Sequence, residues 1–154
     1  MRNTLMGNAV YKNKLRRTEL AKLARSEEIV QPDFSSVQIN GKYQLKNDRF
    51  SKNWGSKTRL YDIYCVKCNA RVLVYQKDGT GNLKKCYLNR ILAPSDLAML
   101  HHNIRTSAPK DVPDLKCHSC HEVLGTPYLH EDGRIAYRIR QGFIFKRINY
   151  NYMK

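Results

Sequence analysis

The chain has 154 residues and a mass of 18.0 kDa, and its 28 Lys and Arg against 13 Asp and Glu give a formal charge of +15. That length holds one ordinary domain with a short extension, and 42% hydrophobic residues supply a modest core, which excludes disorder throughout. No apolar run approaches the ~18 residues of a membrane span or the ~7 of a signal-peptide core, so an intracellular protein is expected, cytoplasmic or nuclear, with an organelle also open.

Residues 1–58 form the first segment, expected as a basic N-terminal helix followed by a polar linker. Arg2, Lys12, Lys14, Arg16 and Arg17 stand in its first 18 residues with no acid among them. A transit peptide shares that bias, but serine is absent from this stretch. From about Val10 to Ile29, good helix formers such as Leu15, Glu19, Leu20, Leu23 and Ala24 predict a helix with a narrow apolar stripe and a wide basic face. Pro32, Ser35, Ser36, Gly41, Ser51, Gly55 and Ser56 then break any period, and the stretch reads as a linker. Phe34, Tyr43, Phe50 and Trp54 punctuate it, as anchors either for a partner or for the chain's own domain.

The second segment, residues 59–148, reads as a β domain. Leu60 to Tyr64 and Arg71 to Gln76 have strand character, and Asp78-Gly79-Thr80-Gly81 is a turn. Leu83 to Leu92 predicts a third strand, and Ser95 the N-cap of a short helix carrying Leu97, Met99 and Leu100. Pro127 to His130 and Arg134 to Arg140 predict a hairpin about Asp132-Gly133, and Phe143 to Ile148 a last strand. Residues 149–154 are left as a tail. The fold expected is mainly β: an antiparallel, metal-pinned domain.

Cys65/Cys68 and Cys117/Cys120, two Cys-x-x-Cys pairs, are the most specific motif in the chain. Four thiolates from two such knuckles match a tetrahedral structural Zn²⁺, and iron in a similar sulfur cage is the less expected metal. The residue after each second cysteine needs a left-handed backbone to turn amides toward sulfur. Asn69 and His121 occupy those places, and both tolerate that conformation. Disulfides fit poorly, since five cysteines leave one over and no export signal is seen. A thioredoxin-like centre has one pair at a helix start, whereas both pairs here lie between strands. Four thiolates leave a bound ion at −2, with Lys67, Arg71, Lys116 and His118 close in sequence to offset it. Cys86, mid-strand, reads as a small buried apolar residue.

The stretch Cys117-His118-Ser119-Cys120-His121-Glu122-Val123-Leu124-Gly125-Thr126-Pro127-Tyr128 resembles the second knuckle of the Yippee family, in which Cys-x-x-Cys precedes Leu-Gly and then Tyr. The 48 residues between the pairs also fit that family better than ordinary zinc ribbons, whose gaps are about 15–20. The resemblance implies two antiparallel sheets pinned at an apex by zinc, a β-tent, with a zinc ribbon as the simpler alternative. Thr126 stands where the family often has Trp, so no aromatic cage is carried over. The related sulfoxide reductases need a cysteine after the second knuckle, and none follows Cys120; a redox enzyme on this scaffold is therefore the remote reading.

Polyanions are the natural partners of so basic a chain: RNA, DNA or a ribonucleoprotein, with an acidic protein engaged by an adaptor as the alternative. Lys12, Arg16 and Arg17 of the helix, and Lys84, Arg138, Arg140, Lys146 and Arg147 of the β domain, are the candidate contacts. Tyr150 and Tyr152 in the tail are candidates for stacking on bases.

Overall fold

The computed structural model describes residues 32–35, 37–53, 57–103 and 108–153. The expected helix with Lys12, Arg16 and Arg17 lies outside these residues, as does Trp54. In chain order the described elements are β1 (Tyr43–Gln44), α1 (Arg49–Lys52), β2 (Arg59–Cys65), β3 (Arg71–Lys77), β4 (Lys85–Tyr87) and β5 (Ile91–Ala93). Then follow α2 (Ser95–Ala98), α3 (Leu100–Asn103), β6 (Leu115–Lys116), β7 (Val123–Leu129), β8 (Ile135–Ile139), β9 (Ile144–Ile148) and β10 (Tyr152–Met153). The architecture is mainly β, as the alternating patterns predict.

Two four-stranded antiparallel sheets carry the fold, ordered β5-β3-β2-β9 and β4-β8-β7-β6. The main core lies where Ile63, Leu73 and Tyr75 of the first sheet and Cys86, Leu124, Tyr137 and Ile139 of the second are buried in one cluster. Leu124 and Gly125, the Leu-Gly of the second knuckle, have packing reasons. Leu124 is fully buried, and a Cβ on Gly125 would meet the Arg138 carbonyl oxygen at 3.1 Å. The Asp132-Gly133 turn joins β7 to β8 as expected, with Gly133 in the left-handed region at φ +88°.

A second cluster covers the opposite face of the first sheet. Leu60, Val74, Leu92 and Ala93 pack there against Tyr43 and Leu45, with Phe34, Val37 and Tyr152 at the edge. From Pro32 onward, then, the segment read as a linker belongs to the β domain, and so does the C-terminal stretch. Tyr43 pairs in parallel with Tyr152, and Gln44 with Met153. Tyr152 is thus part of this layer, while Tyr150 is 80% exposed. The cause is the all-round burial of β3: Val72 to Lys77 are buried without a break, so this strand needs cover on both faces.

Buried polar side chains fasten that cover. The Gln76 amide, wholly buried, accepts from the Lys46 amide nitrogen (2.7 Å) and donates to the Lys46 carbonyl (2.8 Å), so it acts as a short stretch of strand pairing. Arg90, 1% exposed, donates in a fork to the Asp48 carboxylate and through Nε to Asp78 Oδ2 at 2.7 Å. Asp48 also caps α1 through the amides of Phe50 and Ser51. One guanidinium thereby joins the covering segment to the end of β3.

Arg90 also explains a departure from the sequence expectation. The strand expected from Leu83 to Leu92 is two strands, β4 and β5, separated by a 3₁₀ turn at Leu88–Arg90 and placed in different sheets. A half-buried strand alternates, but Arg90, Ile91, Leu92 and Ala93 are buried consecutively, as a crossing between layers requires. The helix expected to be capped by Ser95 begins at Ser95 itself, with Pro94 in the cap position and no side-chain cap bond.

Candidate metal centre

The two knuckles are the turns of two hairpins. Cys65 ends β2, and the chain turns through Cys68 into β3; Cys117 follows β6, and the chain turns through Cys120 into β7. Each sheet therefore supplies two sulfurs at the same end of the molecule. Cys65 Sγ lies 3.6 Å from Cys120 Sγ, and Cys68 Sγ lies 3.4 Å from Cys117 Sγ. All four sulfurs fall within 4.8 Å of one another. With metal–sulfur bonds of about 2.3 Å a tetrahedron needs sulfur separations just under 4 Å, so the donor set fits a single ion.

The backbones of the knuckles repeat each other. Asn69 and His121 take the left-handed conformation expected of them, with φ of 62° and 61°. The Asn69 amide donates to the Cys65 carbonyl (2.8 Å) and the His121 amide to the Cys117 carbonyl (2.9 Å). The Cys65 amide donates to the Ala70 carbonyl and the Cys117 amide to that of Glu122, each at 2.9 Å. Such a turn leaves its remaining amides facing sulfur: those of Lys67 and Cys68 reach Cys65, that of Ala70 reaches Cys68, and those of Ser119 and Cys120 reach Cys117.

The sulfur environments differ. Burial pushes the Cys117 thiol up to about 12, and its amide bonds only partly oppose this. Burial acts upward on Cys68 too, but the Ala70 amide and the thiols of Cys117, Cys120 and Cys65 outweigh it and bring Cys68 to about 7. Cysteine-bound metals are lost in acid.

The charges around the cage are more committed than the sequence implies. Lys67 reaches across from the first knuckle to Glu122 of the second at 3.2 Å, and Arg140 meets the other Glu122 oxygen at 3.4 Å. Arg71 pairs with Asp62 at 3.5 Å and stacks on Phe34. Glu122 first, and then Cys120 and Cys65, raise the Lys67 pKa. His121 is exposed and His118 half-buried, with its pKa lowered by burial. Cys86 is wholly buried in the core and apart from the four-sulfur cluster, and burial pushes its thiol far up.

Comparison of the chain with protein-family models, with curated proteins and with solved structures finds no match. Its chemistry therefore has to be read from its own side chains.

The predicted basic residues of the β domain do not form one patch. Lys146 and Arg147 belong to β9 of the first sheet, where Lys146 donates to the Gly81 carbonyl (3.1 Å) and Arg147 lies over Tyr64 and Phe145. Arg140, just after β8, is held by Glu122, the Val123 carbonyl and the Phe143 ring. Arg138 remains exposed on β8, its guanidinium over the Tyr128 ring, and Lys84 is exposed beside β4. The strand register adds a residue that sequence reasoning missed. Lys85 is the direct cross-strand partner of Arg138, and its ammonium sits 3.1 Å from His130 Nε2, not on a carboxylate. The Lys84-Lys85 dipeptide marked the place, but only the β4–β8 pairing reveals which lysine faces Arg138.

Proposed function

We propose that the protein is a non-catalytic module, stabilised by one Zn²⁺ on Cys65, Cys68, Cys117 and Cys120, that binds nucleic acid or a ribonucleoprotein through the exposed face of the β4-β8-β7 sheet. Four thiolates fill a tetrahedral ion and leave no open position for a substrate, which supports a structural metal, and sulfur-only ligation favours zinc with iron second. Two sheets that each give one hairpin turn to the cage support the Yippee-like, β-tent reading of the fold.

The observation that carries the binding reading is the Lys85–Arg138 pair. Like charges directly opposite one another in a sheet cost stability, and no carboxylate stands with either side chain among the described residues. Arg138 stacked on Tyr128, with Tyr87 and His130 in edge-to-face contact nearby, gives that face the cation-and-aromatic texture on which single strands stack. The test is binding of a labelled single-stranded RNA and its DNA counterpart across a salt series. Affinity should fall steeply with ionic strength, and Arg138→Glu should weaken it at every sequence tried. A flat salt response, or selective capture of an acidic peptide in place of both nucleic acids, would replace this reading with the protein-interaction adaptor.

A further inference from the structure

At the end of β3 remote from the cysteines lies a cavity of about 350 Å³, lined on one side by Phe50, Arg134 and Tyr87 and on the other by the loop after Lys77. Arg71 and Lys77 are the two ends of β3, so at ~3.3 Å per residue the cavity lies about 20 Å along the strand from the metal end. Three lysines line it: Lys77, Lys84 and Lys85. None has a carboxylate partner among the described residues. The one acid in the wall, Asp78, is already taken by Arg90, Thr58 and Gln76. Arg134, held between the Phe50 and Tyr87 rings, is neutralised by Asp132 at 2.8 Å. The cavity therefore keeps a surplus of positive charge.

Two buried groups in its wall have donors to spare. Lys77 is 9% exposed, yet among the described residues its ammonium, which has three protons, bonds only to the carbonyls of Gly79 (3.2 Å) and Thr80 (3.0 Å). Burial, and then Lys146, lower its pKa and Asp78 only partly opposes them, so a further anion would relieve it. Tyr75 is 2% exposed; its hydroxyl oxygen accepts from the Tyr87 amide at 2.9 Å, and its own proton has no acceptor among the described residues. Burial first, with Cys86 second, raises the Tyr75 pKa well above the ordinary value, so the hydroxyl stays a donor. Ammonium and phenol groups with protons to spare in the lining of a cavity that also has aromatic side chains call for a multiply charged oxyanion on a small organic body.

We infer that this cavity binds a phosphomonoester, its phosphate held by Lys77, Lys84 and the Tyr75 hydroxyl, with Lys85 at the rim and the attached group along the side formed by the Phe50–Arg134–Tyr87 stack. The volume suits a ligand of nucleotide size. A free small phosphate and the 5′-phosphate end of a nucleic-acid strand share this chemistry. The cavity shares Lys85 and Tyr87 with the edge of the Arg138 face, but Lys77, Lys84 and Tyr75, which would hold the phosphate, lie apart from Arg138 in the register, so the inference stands even where that face binds no nucleic acid.

The experiment is calorimetric titration of the full metal-loaded chain with adenosine 5′-monophosphate and, in parallel, with adenosine. The nucleotide should bind at least about tenfold more tightly, the value of one charge-assisted hydrogen bond or more. Lys84→Ala, at an exposed position, should lose roughly tenfold in nucleotide affinity with an unchanged melting temperature, and Tyr75→Phe should lose a similar factor. Arg138→Ala, opposite Lys85 but outside the cavity lining, should lower nucleotide affinity less than Lys84→Ala does. Competition then separates the sources: a 5′-phosphorylated oligonucleotide that displaces the nucleotide, where its 5′-hydroxyl twin does not, assigns the strand end. Failure of both to compete assigns a free small phosphate. Equal affinity for nucleotide and nucleoside, or a Lys84→Ala protein that binds like the parent, would overturn the inference.

Discussion

The two ends of the β domain handle charge in opposite ways. At the cysteine end four sulfurs converge from two hairpin turns, and nearby cations are tied to carboxylates or rings: Lys67 and Arg140 to Glu122, Arg71 to Asp62 and Phe34. At the other end Lys77, Lys84 and Lys85 share a cavity in which no carboxylate of the described residues pairs with them. The first end is closed on itself once a cation is bound. The second is complete only with an anion from outside. A net charge of +15 says nothing of this division, which is set by where the carboxylates go.

Breaking the cysteine end should have the largest effect. Cys117→Ser removes a wholly buried ligand and should abolish metal binding together with the cooperative unfolding transition, since such a site contributes on the order of 10 kcal/mol to folding. Far-UV circular dichroism and metal analysis of the purified variant would check this. Next comes the joint between the covering segment and the cavity end. Arg90→Met leaves Asp48 and Asp78 without their cation and should cost about 3–5 kcal/mol in urea unfolding, the usual penalty for breaking a buried ion pair. Proteolysis of that variant should begin within residues 32–53.

The smallest effect concerns Asp132. Burial pushes its carboxyl up, but bonds from the Arg134 side chain and amide and from His130 outweigh this and hold it at about 2, against an ordinary 3.8. A depressed carboxylate stabilises the fold above pH ~4, and its contribution disappears as the pH falls toward ~2. Asp132→Asn should therefore cost up to about 1 kcal/mol at neutral pH, the scale of a partly exposed ion pair, and only a small part of that at pH 2. Parallel denaturation curves at the two pH values would show it.

Sequence and structure agree best where the determinants are local. Each Cys-x-x-Cys turn is a few residues long, and Asn69 and His121 carry their left-handed backbones in their own residue types. The strands around them alternate cleanly enough to be found, as does the Asp132-Gly133 turn. What the sequence concealed depends on partners far along the chain. Tyr43 and Leu45 look like isolated apolar residues in a polar linker until the second face of β3 is seen to need cover. Arg90 interrupts an apparently continuous strand because Asp48, 42 residues earlier, binds it from another layer. The cavity draws Phe50, Lys77, Lys84 and Arg134 from three separate stretches, and no spacing rule links them. Arg138 was found by strand alternation, but its like-charged partner Lys85 depended on register.

Thiol accessibility measured together with metal content tests most directly whether four of the five cysteines hold a single metal ion. The purified protein should carry one Zn²⁺ per chain and show no fast-reacting thiol, because Cys86 is wholly buried and the other four are ligands. Chelation and denaturation should release the metal and expose all five thiols together. A folded, metal-free protein in which Cys68 and Cys120 react freely would contradict the account.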